Sequence, residues 1–193
     1  MDKQNDEAIV LSVLKGNVTD FRHLVDRHSN LAYRTAFSVC QSHEDAQEIT
    51  QDAFIKAFLS LASFQRKSKF STWLFRIVYY TALNHLEKTK SYKKSVNLYG
   101  SEYDFDELAD FTIPGQLTQR EEQEKFVHEA LTQLNPDDRL ALSLFYMEEK
   151  QQKEISQLTG WSLSAVKVRI FRARNKLQEV LEKLLVNEKG ILP

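Results

Sequence analysis

At 193 residues the chain has room for one large domain or two small ones, and with only 5 Gly and 3 Pro among 42% apolar and 27% charged residues it is expected to be ordered and mostly helical. Its net charge of −1 argues against a generic polyanion binder, and its single cysteine, Cys40, excludes an intramolecular disulfide. The opening MDKQNDEAIV is too polar for a signal peptide, and no apolar run approaches the roughly 20 residues that span a bilayer, so no membrane insertion is expected and a reducing cytoplasm suits the chain.

The charge is segregated rather than absent. From Gln65 to Lys94 there are eight Lys/Arg and one acid, whereas Glu102 to Asp110 holds five acids and no base. Local asymmetry of this kind bears on partners more than the total does.

Asp6 to Gly16 reads as a first helix with Ile9, Val10, Val13 and Leu14 inward. Asp20 to Cys40 carries Phe21, Leu24, Val25, His28, Leu31, Ala32, Thr35, Ala36 and Val39 at helical spacing. His28 reads as a satisfied interior or boundary histidine and Cys40 as a small core residue. The five histidines show no metal-ligand spacing, and there is no HExxH, no paired cysteine and no glycine-rich phosphate loop, so no metal or cofactor is expected.

Ser42 to Leu61 forms the next helix, with Ser42 and Asp45 spaced as a capping box. Ala46, Ile49, Ala53, Phe54, Ala57, Phe58 and Leu61 point inward. Glu48, Gln51, Asp52, Ile55 and Lys56 remain outside, a face that suits either docking or plain solvation. The loop Arg66-Lys67-Ser68-Lys69 then leads into a helix beginning near Ser71, with Trp73, Phe75, Arg76, Tyr79, Tyr80, Asn84 and His85 following. Cations hold phosphates while aromatic faces stack on bases, so this interleaving suggests single-stranded nucleic acid. Leu74, Phe75, Ile77 and Val78 read as core; Trp73 and Tyr80 suit either core or base contact.

The periodicity breaks over Ser91 to Leu117, read as a linker of about 25 residues between two helical domains. Glu121 to Leu134 is a helix with Phe126, Val127, Ala130, Leu131 and Leu134 inward. Asn135 and Pro136 are an N-cap and first helical residue for the helix that runs to Met147. Gln151 to Thr159 makes a short helix ended by Gly160, where a left-handed cap favours a residue without Cβ. Ser162 caps the last helix, which spans Trp161 to Lys183. Val166, Ile170, Ala173 and Leu177 fall in an arc of about 60° and continue as Val180, Leu181 and Leu184. Ser164, Lys167, Val168, Phe171 and Arg172 lie opposite. A short helix, a Gly turn and a longer basic helix form the helix-turn-helix pattern, whose second helix enters a DNA major groove.

In combination these stretches resemble the extracytoplasmic-function sigma factors, group 4 of the sigma-70 family of bacterial RNA polymerase specificity subunits. DAQEITQDAFIKAF is similar to region 2.2, FSTWLFRI to region 2.3 leading into region 2.4, and the stretch from Leu131 to Leu177 to region 4. The resemblance implies an all-α chain with a region 2 domain over 1–92, a flexible acidic linker over 93–117, a region 4 domain over 118–187 and a tail over 188–193. It implies a cytoplasmic protein that performs no catalysis itself, binds core RNA polymerase at the largest-subunit clamp helices and at the flap, and directs promoter recognition, melting and initiation at a specialised stress-responsive regulon. An anti-sigma protein is a further implied partner.

On this resemblance Glu48, Gln51, Asp52, Ile55 and Lys56 dock on the clamp helices. Lys67, Lys69, Trp73, Arg76, Tyr80 and Asn84 meet the minus-ten element, double- and then single-stranded. Ser164, Lys167, Val168, Phe171 and Arg172 read the minus-thirty-five element. The acidic linker is expected near the RNA path, where growing RNA displaces it. Tyr80, Asn84, Glu87 and Trp161 depart from the family pattern, the last in a turn where smaller residues are usual. The alternative is an ordinary helix-turn-helix regulator with an N-terminal helical sensor, which leaves the docking helix and the aromatic-basic stretch unexplained. Because the linker sets no fixed spacing, the two domains are expected to tumble independently when free.

Overall fold

The computed structural model describes residues 5–98 and 127–188, the side chains at 90–98, 182 and 184–188 excepted. In chain order it contains α1 (Asp6–Leu14), α2 (Phe21–Cys40), α3 (His43–Leu59), α4 (Phe70–Leu98), α5 (described over 127–132), α6 (Pro136–Tyr146), α7 (Gln152–Thr159) and α8 (Leu163–Glu188), with single 3-10 turns at Val18–Asp20 and Leu61–Ser63. Among the described residues there is no strand, and no helix is long and apolar enough to cross a membrane.

The helix ends follow local chemistry. Ser42 Oγ accepts the Asp45 amide at 3.2 Å and starts α3, while Gln41 takes the left-handed conformation (φ 58°) that turns the chain out of α2. Asn135 accepts the Asp138 amide at 2.9 Å with Pro136 behind it, and Gln151 N–H donates to Glu154 at 2.8 Å. Gly160 has φ 80° and donates to Ser156 O at 2.9 Å, closing α7 as its sequence position suggests. Ser162 Oγ then accepts the Ala165 amide at 3.1 Å and opens α8.

Helices α2, α3 and α4 pack on one another around Leu24, Ile49, Phe70, Leu74, Phe75 and Val78, with α1 laid on α2 through Ile9, Val10 and Val13. His28 is buried, donates from Nε2 to the Asp6 carboxylate at 2.9 Å and sits beside Phe70, as an interior histidine should. Two expected core residues of this N-terminal bundle are exposed. Leu14 is 48% accessible because at 100° per residue it lies about 90° from the centre of the Ile9, Val10 and Val13 arc. Phe58 lies about 120° from the inward face of α3 and covers Phe21 from outside, ring to ring at 5.1 Å. The helix α4 also continues to Leu98, through residues read as the start of the linker. The rest of that linker, its five acids, the helix start at Glu121 and Phe126 lie outside the described residues.

The C-terminal helices gather around Leu140, Ala141, Leu144, Ile155, Val166 and Ile170, with Leu134, Leu142 and Ala173 in a second small cluster. Val166, Ile170, Ala173 and Val180 are buried and Leu177 and Leu181 half-buried, the stripe expected for α8. Val127 is exposed because it lines an open groove of about 1010 Å³ between α2 and the C-terminal helices, together with Tyr33, Phe37, Leu131, Tyr146 and Leu181.

Independent tumbling is corrected by the packing. The larger cluster of buried residues runs through both halves, with α6 against α2 and α7 against α4. Arg139, 6% exposed, is the centre of the junction. Its Nε donates to Ser38 O at 2.9 Å and its Nη2 to Val39 O at the end of α2, while its Nη1 donates to Leu131 O at 3.1 Å and to Thr132 O and Leu134 O after α5. One guanidinium thus closes two helix C-termini, where carbonyls lack helical partners and the backbone dipole favours a cation. Arg34 pairs with Glu148 at 2.6 Å and Tyr79 donates to Asp137 at 2.5 Å across the same junction.

Candidate nucleic-acid interface

The buried stripe of α8 roots that helix and turns its other face to solvent. Ser164, Lys167, Val168, Phe171 and Arg172 are all exposed, Phe171 by 64% and Val168 by 52%. Apolar side chains at these exposures on a basic face are costly to leave in water and match a surface that meets thymine methyls and phosphates. Ser164 lies in the first turn, where α8's free amides favour an anion. Arg172 is half-exposed and reaches Asp138 at 3.2 Å, and Arg169 reaches Asp137 at 2.8 Å, so α6 supplies acids that hold the α8 cations in place.

Trp161 explains how the turn is built. Arg169 stacks over its ring at 4.4 Å, and the ring meets Tyr79 of α4 edge-on at 6.0 Å. The departure at 161 is therefore a packing residue between the two halves.

On α4, Trp73, Arg76, Tyr80 and Asn84 share one face at helical spacing. Trp73 is half-buried, packed against Phe64 at 5.1 Å and Phe70 at 5.7 Å, so much of it is core. Tyr80 is 56% exposed and Asn84 is exposed one turn further on. Lys67 and Lys69 are exposed in the loop before α4, where Arg66 takes a left-handed conformation (φ 56°). Arg76 extends to the end of α7, donating to Gln157 O at 3.1 Å and Leu158 O at 3.2 Å.

On α3, Glu48, Gln51, Asp52, Ile55 and Lys56 are all exposed, Ile55 by 58%, with Leu59 one turn on exposed by 76%. Lys56 Nζ donates to Thr81 Oγ1 at 3.2 Å, which ties this face to α4.

Sequence spacing gave no sign of three residues that the fold gathers. The ligand atoms of Asp45, Glu48 and His85 lie within 4.8 Å of one another, although no metal was expected; His85 Nε2 is already 3.2 Å from Asp45 Oδ1. Nor does the sequence mark Arg139, Tyr79 and Asp137 as the bridging groups they are in the fold. Asp137 reads from sequence as an ordinary first-turn acid, and nothing in a single sequence tells which distant carbonyls a buried arginine will find. Cys40 is half-buried beside Ser42 O, and burial raises its thiol pKa, in keeping with a packing role.

Residues 24–92 match the family described as Sigma-70 region 2, and residues 127–177 the family described as Sigma-70, region 4. The chain is 31% identical over 189 residues to the RNA polymerase sigma-H factor of Pseudomonas aeruginosa, covering 96% of this chain and 98% of that one. It is 28% identical over 188 residues to the ECF RNA polymerase sigma-E factor of Haemophilus influenzae, covering 95% and 99%. Among solved structures it is similar to CnrH in complex with the cytosolic domain of CnrY (TM-score 0.61, 26% identity, 91% of this chain and 96% of that one). It shares its fold with the sigma factor RpoE of Bartonella quintana, solved with the anti-sigma factor NepR (TM-score 0.62, 24% identity, 84% and 97%).

Proposed function

The chain belongs to the extracytoplasmic-function sigma factors of the sigma-70 family, which direct transcription initiation, and from that premise we propose how its surfaces divide the work. The α3 face from Glu48 to Lys56 binds the clamp helices of core RNA polymerase. The α4 face and its basic loop, through Lys67, Lys69, Trp73, Arg76, Tyr80 and Asn84, meet the minus-ten element and hold its single strand. The outer face of α8, through Ser164, Lys167, Val168, Phe171 and Arg172, reads the minus-thirty-five element in the major groove. The region 2 domain ends in α4, and α5 to α8 make the region 4 domain, which also contacts the flap.

The observation that carries this reading is the exposure of two apolar-charged faces on opposite duties, Ile55 on α3 and Val168 with Phe171 on α8. A helix-turn-helix regulator needs the second and has no use for the first. The protein works in the cytoplasm on a stress-responsive regulon and forms or breaks no covalent bond; selective affinity for opened promoter DNA drives melting. The apolar groove lined by Phe37, Leu131 and Leu181 suits an amphipathic helix of an anti-sigma partner.

In-vitro transcription with purified core polymerase, this chain and the host's genomic DNA tests the reading, with RNA 5′ ends sequenced. Discrete starts that require the chain are expected. No starts, from a core enzyme active with another sigma factor and despite sequence-specific DNA binding by the chain alone, would establish the ordinary regulator instead.

A further inference from the structure

We propose that Asp45 and Glu48 of α3 and His85 of α4 form a binding site for a divalent transition-metal ion of the zinc class, which clips the two helices together. Asp45 and Glu48 stand three residues apart on one face of α3. His85 comes from α4, the helix packed against it, 40 residues from Asp45 in sequence. The ligand atoms of all three lie within 4.8 Å of one another.

Two of the three are already placed as neighbouring ligands. His85 Nε2 is 3.2 Å from Asp45 Oδ1. An ion held about 2.0–2.1 Å from each of two tetrahedral ligands keeps them roughly 3.3 Å apart. A metal ion can therefore replace the proton between these atoms with almost no movement of either helix. The imidazole then carries its proton on Nδ1 and offers the Nε2 lone pair. Both side chains are partly sheltered, His85 22% and Asp45 36% accessible. Glu48 is exposed, so its side chain is free to swing in and close the remaining gap. The fourth position faces solvent and takes a water.

The charge balance also favours a cation. Among the described residues no Lys or Arg pairs with either carboxylate, so an ion would not have to displace one. The amino end of α3 opposes a cation with about half a positive charge, against two full negative charges from the carboxylates. The nitrogen ligand sets the class of ion. Imidazole with carboxylates suits Zn²⁺, Ni²⁺ or Cu²⁺, whereas Mg²⁺ and Ca²⁺ ask for six or more oxygens, which three side chains here do not supply. The ion would join the outer face of α3 to α4 at a point where the hydrogen bond from His85 is otherwise the link.

Zinc chloride is titrated by calorimetry into the untagged full-length chain, without polymerase or DNA, so the outcome is independent of the sigma reading. One ion per chain is expected. The thermal midpoint should rise with zinc, because an ion that binds only the folded chain stabilises it by mass action. His85→Gln and Glu48→Gln should each weaken binding at least about tenfold and remove the rise, with metal-free circular dichroism unchanged. His23→Gln, at an exposed histidine of α2, should change neither, and Mg²⁺ at the same concentration should give no rise. In chain labelled with nitrogen-15 at histidine, zinc should shift the His85 Nε2 resonance and leave the other histidines in place, a readout that needs no variant. The proposal is overturned if zinc does not bind, or binds wild type and His85→Gln alike. A shift at other histidines instead of His85, or an equal response to Mg²⁺, overturns it as well.

Discussion

Tyr79 donates its phenolic proton to Asp137 at 2.5 Å, joining positions 58 residues apart. Asp137 also pairs with Arg169 at 2.8 Å, Arg169 stacks on Trp161, and Trp161 meets Tyr79 edge-on. Four side chains from α4, α6, the turn and α8 therefore close a ring across the two halves. Each link is modest alone; together they fix the orientation of the helix-turn-helix against α4.

Burial, and then the bond to the Asp137 carboxylate, hold the Tyr79 hydroxyl well above its ordinary pKa of 10.0. A raised folded-state pKa means that the unfolded chain loses this proton first as pH rises. The associated stability is fully present below pH 10 and is lost as pH climbs toward the folded value. Among the seven tyrosines, Tyr79 should resist ionisation in an ultraviolet titration above pH 10 until the fold opens. Tyr79→Phe should abolish that late step and lower stability to urea at neutral pH by about 1 kcal/mol.

Arg139 is held at two helix ends by carbonyls alone, and burial brings its pKa down to about 10. It remains charged at neutral pH. Arg139→Met should cost about 3–5 kcal/mol by urea denaturation, because it strands carbonyls of Ser38, Val39 and Leu131 at once. Arg139→Lys should recover little of this, since one ammonium cannot span acceptors from two helices that a planar fork reaches. A cost below 1 kcal/mol for Arg139→Met would mean that the two halves stay joined without it.

Gly160 stands at φ 80° with open room: an added Cβ would meet Arg76 Nη2 at 3.8 Å, an ordinary contact. Gly160→Ala should therefore cost only backbone strain, about 1 kcal/mol in a thermal or urea melt, and Gly160→Asn less.

Local rules were legible in the sequence wherever a single residue decides a turn. Ser42, Asn135, Gly160 and Ser162 end or begin helices where their side chains, or the lack of one, predict. The outward faces of α3 and α8 followed from helical period alone, because burial of Ile49 or Ile170 fixes what must lie opposite. Period overreached at Leu14 and Phe58, each about a quarter to a third of a turn off its helix's inward centre, where hydrophobicity outweighed angle in the reading. The junction between the halves was not legible. Trp161 looks like a turn residue and Arg139 like an ordinary helix residue until the chain is folded, because their partners lie more than 80 residues away at Tyr79 and Ser38. Whether Arg76 faces DNA or α7 is likewise a property of the assembled fold, not of the stretch FSTWLFRI.

The α3 and α8 faces are separable, and their exposure makes the test direct. Ile55 is 58% accessible and Phe171 64%, so neither Ile55→Glu nor Phe171→Ala should move the urea midpoint by more than about 0.5 kcal/mol in stability. Ile55→Glu places a charge where an apolar contact is desolvated on docking. It should weaken binding to core polymerase by at least about tenfold, roughly 1.4 kcal/mol, and leave DNA binding by the chain unchanged. Phe171→Ala should do the reverse: core binding is kept, while discrimination at the contacted base pair of the minus-thirty-five element falls by about 1–3 kcal/mol in transcription from promoter variants. If both substitutions weakened core binding alike, α8 would be a polymerase surface, and the assignment of Ser164, Lys167, Val168, Phe171 and Arg172 to DNA would fail.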